Sequence, residues 1–211
     1  MLRYLYADQL KSHPRLADEM FTHRADQFRT RLKWDVSVDA RGFERDEYDA
    51  LNPLYVIWET AEGGHGGSTR FLPTTGPVMV NDHFGHLTSA PIRSPHIWEC
   101  TRFCMAPGQG ANVAAALMLG GGEIMQGFGV LHFVGVFDAR MVRIYKRVGS
   151  SPEVLGSVGA GRAQISVGLW AFDQTAQLRV AQRAGITPSL SRAWFNRAFD
   201  AGSAQEFAAS A

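Results

Sequence analysis

With 211 residues, 45% of them hydrophobic and 11% aromatic, the chain carries enough apolar material for one domain with a substantial core. That composition excludes a disordered or low-complexity protein. Lysine and arginine number 21 against 20 aspartate and glutamate, a formal charge of +1, which excludes recruitment to nucleic acid by bulk attraction and leaves recognition to local patches.

Residues 1–13 lack the apolar centre of a signal peptide, and the most apolar later stretch, 111–122, falls short of the ~20 residues that cross a bilayer. The chain therefore reads as cytoplasmic, with no membrane span. Cys100 and Cys104 lie four apart in a predicted strand, facing the same way and too distant to bridge, so both read as buried thiols. The seven histidines show no metal-ligand spacing, and no metal site is expected.

In chain order, 2–6 is a short strand. From 14 to 32 the apolar positions Leu16, Met20, Phe21, Phe28 and Leu32 recur at helical spacing. Residues 54–58 and 68–72 form a hairpin around a turn expected at the glycine-rich 63–67. A strand over 97–104, a helix over 111–125 and a strand over 130–136 follow. Asp138 N-caps the next helix. A late strand over 165–170, a helix over 173–184 and a last helix opened by Thr187-Pro188 complete the chain. Gly156 to Gly161 reads as turn, and the tail from about 201 as frayed. A hairpin followed by strand–helix alternation predicts an α/β fold: a twisted mixed sheet with helices on both faces, a three-layer αβα sandwich in one domain spanning 1–211.

Charge placement is the unusual feature. Arg24 lies on the apolar stripe between Met20 and Phe28, and a guanidinium aimed inward needs a carboxylate or an anionic ligand. Arg70 sits within a strand among hydrophobic neighbours. Glu99 and Arg102 interrupt an otherwise apolar strand. Glu44, Asp46 and Asp49 crowd one short segment, either a solvated acidic turn or the partners these arginines require. A pocket lined by both signs suits a zwitterionic ligand. Strand alternation puts Glu99, Thr101 and Phe103 on one face and Arg102 on the other, so without a bulge Glu99 and Arg102 cannot share a pocket. Nucleotide hydrolysis, zinc proteolysis and α/β-hydrolase chemistry each lack their motif. The turn 107–110, between a strand and a helix, is either a plain loop or a set of backbone amides for an anion.

The run Phe21-x-x-Arg24-x-x-x-Phe28, then Trp34-Asp35-Val36 and Glu44-x-Asp46-x-Tyr48-Asp49, resembles the N-terminal signature of the acyl-homoserine-lactone synthases, the LuxI-type autoinducer synthases of bacterial quorum sensing. The blocks 67–75 and Trp98-Glu99-Cys100-Thr101-Arg102-Phe103 are similar to the next two in order and spacing. The resemblance implies an acetyltransferase-like fold. It implies S-adenosylmethionine as substrate rather than cofactor, and an acylated acyl-carrier protein as partner, with acyl-coenzyme A as the alternative donor. Products would be the acyl-homoserine lactone, methylthioadenosine and the freed carrier thiol. An N-acyltransferase acting on another small amine is a further alternative, separable because it releases no methylthioadenosine.

By position, the resemblance assigns S-adenosylmethionine binding to Arg24, Phe28, Trp34, Asp46, Asp49, Phe84, Thr101 and Arg102. It assigns catalysis to Glu99, Asp46, Asp49 and Arg70, Glu99 placing or deprotonating the amine. Phe103, Phe133, Gly135, Phe137, Met141 and Leu169 are candidates for the acyl pocket, ordinary core being an equal reading of each. Relatives favouring 3-oxo chains often carry threonine near position 135, so Gly135 implies an unsubstituted or otherwise modified chain. Arg140, Arg143, Lys146 and Arg147 on one helix are either a solvated face or a docking stripe for an acidic carrier.

A glutamate near ~4.3 is almost four units too weak to deprotonate an amine near ~8, so Glu99 needs a raised pKa or acts by positioning. Crowding with Asp46 and Asp49 is the expected cause of such a rise.

Overall fold

The computed structural model describes residues 1–209, with side chains described through residue 200. Seven strands form one sheet in the order β1-β2-β3-β4-β5-β7-β6: β1 (Leu2–Tyr6), β2 (Leu54–Glu59), β3 (His65–Pro73), β4 (Ile97–Met105), β5 (His132–Asp138), β6 (Glu153–Val158) and β7 (Ile165–Ala171). Every neighbouring pair is antiparallel except β4 with β5.

Period-2 alternation sends alternate side chains to the two faces. On one face Tyr55 and Ile57 meet Leu16, Met20 and Phe21 of helix α1 (Pro14–Ala25). On the other, Leu54, Val56, Phe71 and Phe133 meet α3 (Ala111–Phe128), α5 (Gln174–Ala184) and α6 (Pro188–Ala209). The result is the three-layer mixed sheet that the alternation of elements predicts. A third cluster, around Tyr48, Leu72, Val80, Val134 and Val167, continues the α1 face past α2 (Met79–Phe84). Asp138 caps α4 (Ala139–Val148) by accepting from the Arg140 amide, and Asp173 caps α5 through the amides of Thr175 and Ala176. No described helix is long and apolar enough to cross a membrane.

Several boundaries differ from expectation. The α1 hydrogen-bonding pattern widens into a π-type segment over Asp26–Arg31 instead of continuing as α-helix. The hairpin turn occupies residues 60–64, and His65, Gly66 and Gly67 belong to β3. Helix α2 and strand β6 had no sequence signal strong enough to predict them. β6 runs through Gly156, which the composition marks as turn. The Leu87 carbonyl comes so close there that an added Cβ would lie 2.0 Å from it. The backbone of α6 is helical to Ala209; the side chains of the tail expected to fray from about 201 lie outside the described residues.

Two irregularities position the site. The β4–β5 pairing covers only Ile97–Glu99 against His132–Val134, so beyond those residues the two strands part and leave a cleft. β4 also carries a bulge. Ser68 pairs with Cys104 but Arg70 with Thr101, so one extra β4 residue is accommodated beside Arg102, whose φ is +53°. This overturns the strict alternation expected for 97–104. Arg102 turns onto the same face as Glu99, and Cys100 and Cys104 point to opposite faces: Cys100 to the α3 side, Cys104 to the His23 carbonyl of α1.

Candidate active site

Three arginines and three carboxylates from four separate segments close into a ring. Arg24, on α1, donates from Nε to Glu44 at 2.6 Å and, bidentately, to Asp49 at 2.9 Å twice. Arg70, on β3, donates to Asp49 at 2.8 Å, to both oxygens of Asp46, and from Nε to the Thr101 hydroxyl at 3.1 Å. Arg102, freed by the bulge, reaches Glu44 at 3.0 Å and Asp46 at 2.7 Å. Each arginine therefore bridges two carboxylates and each carboxylate two arginines. Six unit charges sum to zero in a region where Arg24, Arg70 and Glu44 are fully buried.

Burial opposes ionisation throughout, and pairing outweighs it. For Arg24 the Asp49 and Glu44 charges more than offset desolvation and raise its pKa. For Asp49 the Arg24 and Arg70 charges hold the carboxyl well below the usual range. The Tyr55 hydroxyl adds a further hydrogen bond to Asp49. Asp46 is also the N-cap of the turn Glu47–Leu51, accepting from the Tyr48 and Asp49 amides, so the loop that supplies two ring members is held by one of them. The acidic segment is thus no solvated turn. Glu44 received no role by position, yet it joins Arg24 to Arg102. Its signal was present in the sequence, three carboxylates for three inward-facing arginines.

Glu99 sits beside the ring and is fully buried. Its two carboxylate oxygens accept from the Met79 amide at 3.1 Å and the Val80 amide at 2.6 Å, so a strand side chain supplies the cap that α2 lacks locally. Desolvation raises its pKa to about 7, against the pull of those two amides and of Arg70. Asp46 adds a lesser upward push than burial does, so burial rather than crowding is the main cause.

The cleft between β4 and β5 opens into a cavity of ≈ 200 Å³. At one side stand Phe28 and Trp34, stacked with ring centroids 5.2 Å apart, together with Thr101 and Arg102. The cavity continues past Phe103, Gly135, Phe133, Phe137 and Met141 to α3 and α5. Arg102 is the one ring member on its wall; Arg24, Asp46, Asp49, Arg70 and Glu99 do not line it, and the predicted wall residues Leu169 and Phe84 also fall elsewhere. Leu169 pairs with Val134 and packs on the opposite face, and its neighbour Trp170, paired with Phe133, faces the cavity instead. Phe84 stacks on His86 and packs against the Tyr48–Val134 cluster, away from the cavity wall. Gln27, Arg31, Met79 and Met118 are wall residues that pattern reasoning missed. The turn 107–110 precedes α3 without lining the cavity. On α4, Arg140 is tied to Asp138, while Arg143, Lys146 and Arg147 are exposed. Cys100, a wall residue, has its thiol pushed up to about 12 by burial, so it stays protonated near neutrality. Among the described residues no three metal-ligating side chains converge.

A splayed mixed sheet with a cleft at the strand divergence is the architecture of the acetyltransferase-like fold. An acyl-CoA N-acyltransferase from Pseudomonas aeruginosa superposes with a TM-score of 0.54 at 11% identity, covering 81% of this chain and 99% of that one. The model of the autoinducer synthase family matches residues 7–180, and the chain belongs to that family of acyltransferases. An acyl-homoserine-lactone synthase of Rhizobium etli is 40% identical over 201 residues, 92% of this chain and 93% of the relative. The structure of the CoA-dependent acyl-homoserine lactone synthase BjaI, with SAM and isopentyl-CoA, superposes with a TM-score of 0.79 at 22% identity, covering 90% of this chain and 91% of that one.

Proposed function

We propose that this enzyme transfers an acyl group from an acyl-carrier-protein thioester to the amine of S-adenosylmethionine and then closes the lactone. The observation that carries this reading is one continuous cavity leading from Arg102, at the edge of the charge ring, and the Phe28–Trp34 stack into a largely apolar chamber. One substrate must bear both signs of charge and an aromatic base, and the other a hydrocarbon chain. The ring is neutral in itself, so Arg102 and Asp46, its least buried members, offer a cation and an anion to the carboxylate and ammonium of the zwitterion. Phe28 and Trp34 offer ring faces to the adenine and the sulfonium.

The neutral amine attacks the thioester carbonyl. The C–N bond forms, the C–S bond breaks, and the departing thiolate takes the amine's proton by way of a general base. Glu99, with a pKa near neutrality, fits that base. The substrate carboxylate then attacks its own γ-carbon and the C–S⁺ bond breaks. Neutral methylthioadenosine leaves, in a step governed by proximity.

The exposed Arg143, Lys146 and Arg147, joined by Arg183 of α5 lying over Gly149, form a basic surface suited to an acidic carrier protein. Arg143→Glu with Arg147→Glu is expected to raise the apparent KM for an acylated carrier several-fold, more at low salt, with kcat kept. An unchanged KM removes this surface from the account. BjaI is CoA-dependent, and acyl-coenzyme A is the second reading. Side-by-side turnover with carrier-bound and coenzyme A-bound acyl groups decides between donors. Release of methylthioadenosine with the lactone tests the reaction itself, and acylation without that release would assign a different amine.

A further inference from the structure

Resting on the acyl-transfer reading above, we infer that Gly121 sets the length of the acyl chain. The chamber between α3, α5 and the sheet would then admit medium- and long-chain acyl groups, the chain's methyl end lying against the Gly121 backbone. Helix α3 carries Gly120, Gly121 and Gly122 in its interior, where each glycine costs about 1 kcal/mol of helix stability relative to alanine. Gly120 is required by packing, and a side chain at Gly122 would have to displace the Gln177 carboxamide from its hydrogen bond to the Leu119 carbonyl. A Cβ at Gly120 would lie 2.7 Å from Val56 Cγ1, and one at Gly122 would lie 2.0–2.4 Å from the Gln177 amide.

Gly121 has no such constraint. The nearest atoms to a Cβ there would be ring carbons, of Phe133 at 3.2 Å and of Phe71 at 3.5 Å and 3.9 Å, so an alanine fits if the Phe133 ring yields by a few tenths of an ångström. Gly121 and Gly122 both line the cavity, and Gly121 is the one whose added side chain would stand against the phenyl rings of its sheet side. The surrounding wall is mostly apolar, Leu117, Met118 and Met125 of α3 and Val180 of α5, with the Gln177 carboxamide beside Gly122. It lies on the sheet face opposite the charge ring, reached from the cleft past Gly135. Any branch longer than a methyl at 121 must occupy the chamber or displace the two phenyl rings that form its sheet side.

The test compares Gly121→Ala and Gly121→Leu with the wild-type chain, using hexanoyl and dodecanoyl thioesters in vitro and mass spectrometry of lactones extracted from expressing cells. The expected result is dodecanoyl turnover in the wild type, reduced about tenfold or more in Gly121→Leu and less in Gly121→Ala. Hexanoyl turnover should stay within about twofold. If Gly121→Leu does not fold by circular dichroism, Met118→Phe fills the same chamber from one turn away and is expected to give the same length shift. An unchanged dodecanoyl-to-hexanoyl ratio in a folded, active variant overturns the inference, as does a wild-type enzyme that rejects the dodecanoyl donor. A wild-type enzyme that makes no lactone from any donor refutes the underlying reaction instead, so the two failures are distinguishable.

Discussion

Replacing Arg24 with alanine is expected to remove about 3–5 kcal/mol of folding stability, a large share of the ~5–15 kcal/mol that holds a domain together. The loss comes less from the pair energy than from what remains, Glu44 and Asp49 buried with half their cationic partners gone. Urea unfolding should show a much lower midpoint, and a midpoint within experimental error of wild type would mean that the ring is not the strut its geometry describes. Arg70→Ala should lose product altogether and destabilise to a similar extent, because it leaves Asp46 and Asp49 each with a single arginine. The same logic fixes the acid response. Asp49 has a depressed pKa in the folded state, so its contribution is present above its unfolded value of 3.8 and is lost as the pH falls through and below it.

Glu99→Gln is expected to lower kcat by about 10²- to 10⁴-fold. The wild-type rate should rise with pH through an inflection near 7, and that inflection should vanish in the variant. A residual activity that keeps the inflection would place the proton acceptor elsewhere. Glutamine retains one oxygen for the Val80 amide but turns an NH₂ group towards the Met79 amide, so weakened docking of α2 accompanies the loss. Stability separates the two effects. The folded enzyme holds a proton on Glu99 that the unfolded chain releases above 4.5, so wild-type stability falls between about 4.5 and 7, by on the order of 3 kcal/mol. The variant should lack this slope.

The sequence made the layers legible because hydrophobic periodicity survives in it. The α1 stripe, the β2–β3 hairpin and the Asp138 and Asp173 caps all follow from local pattern. Arg24 was legible for the opposite reason, a charge standing where the period requires an apolar side chain. What stayed hidden depends on tertiary contacts. An arginine at positive φ carries no compositional mark, so the bulge in β4 could not be read. The choice of Leu169 over Trp170 turned on the β5–β7 register, which no single strand specifies. β6 runs through a glycine that the Leu87 carbonyl approaches closely, a tertiary contact that composition does not mark.

The extra residue in β4 acts as a half-step in the pleat. Excising Phe103 would leave residues 97–101 undisturbed and keep Cys104 opposite Ser68, with Arg102 alone opposite Thr69. Plain alternation would then turn Arg102 to the helix-α3 side, and the third guanidinium would leave its carboxylates. An excision of a single amino acid would thereby open the charge ring while the strand pairing on either side of it is kept.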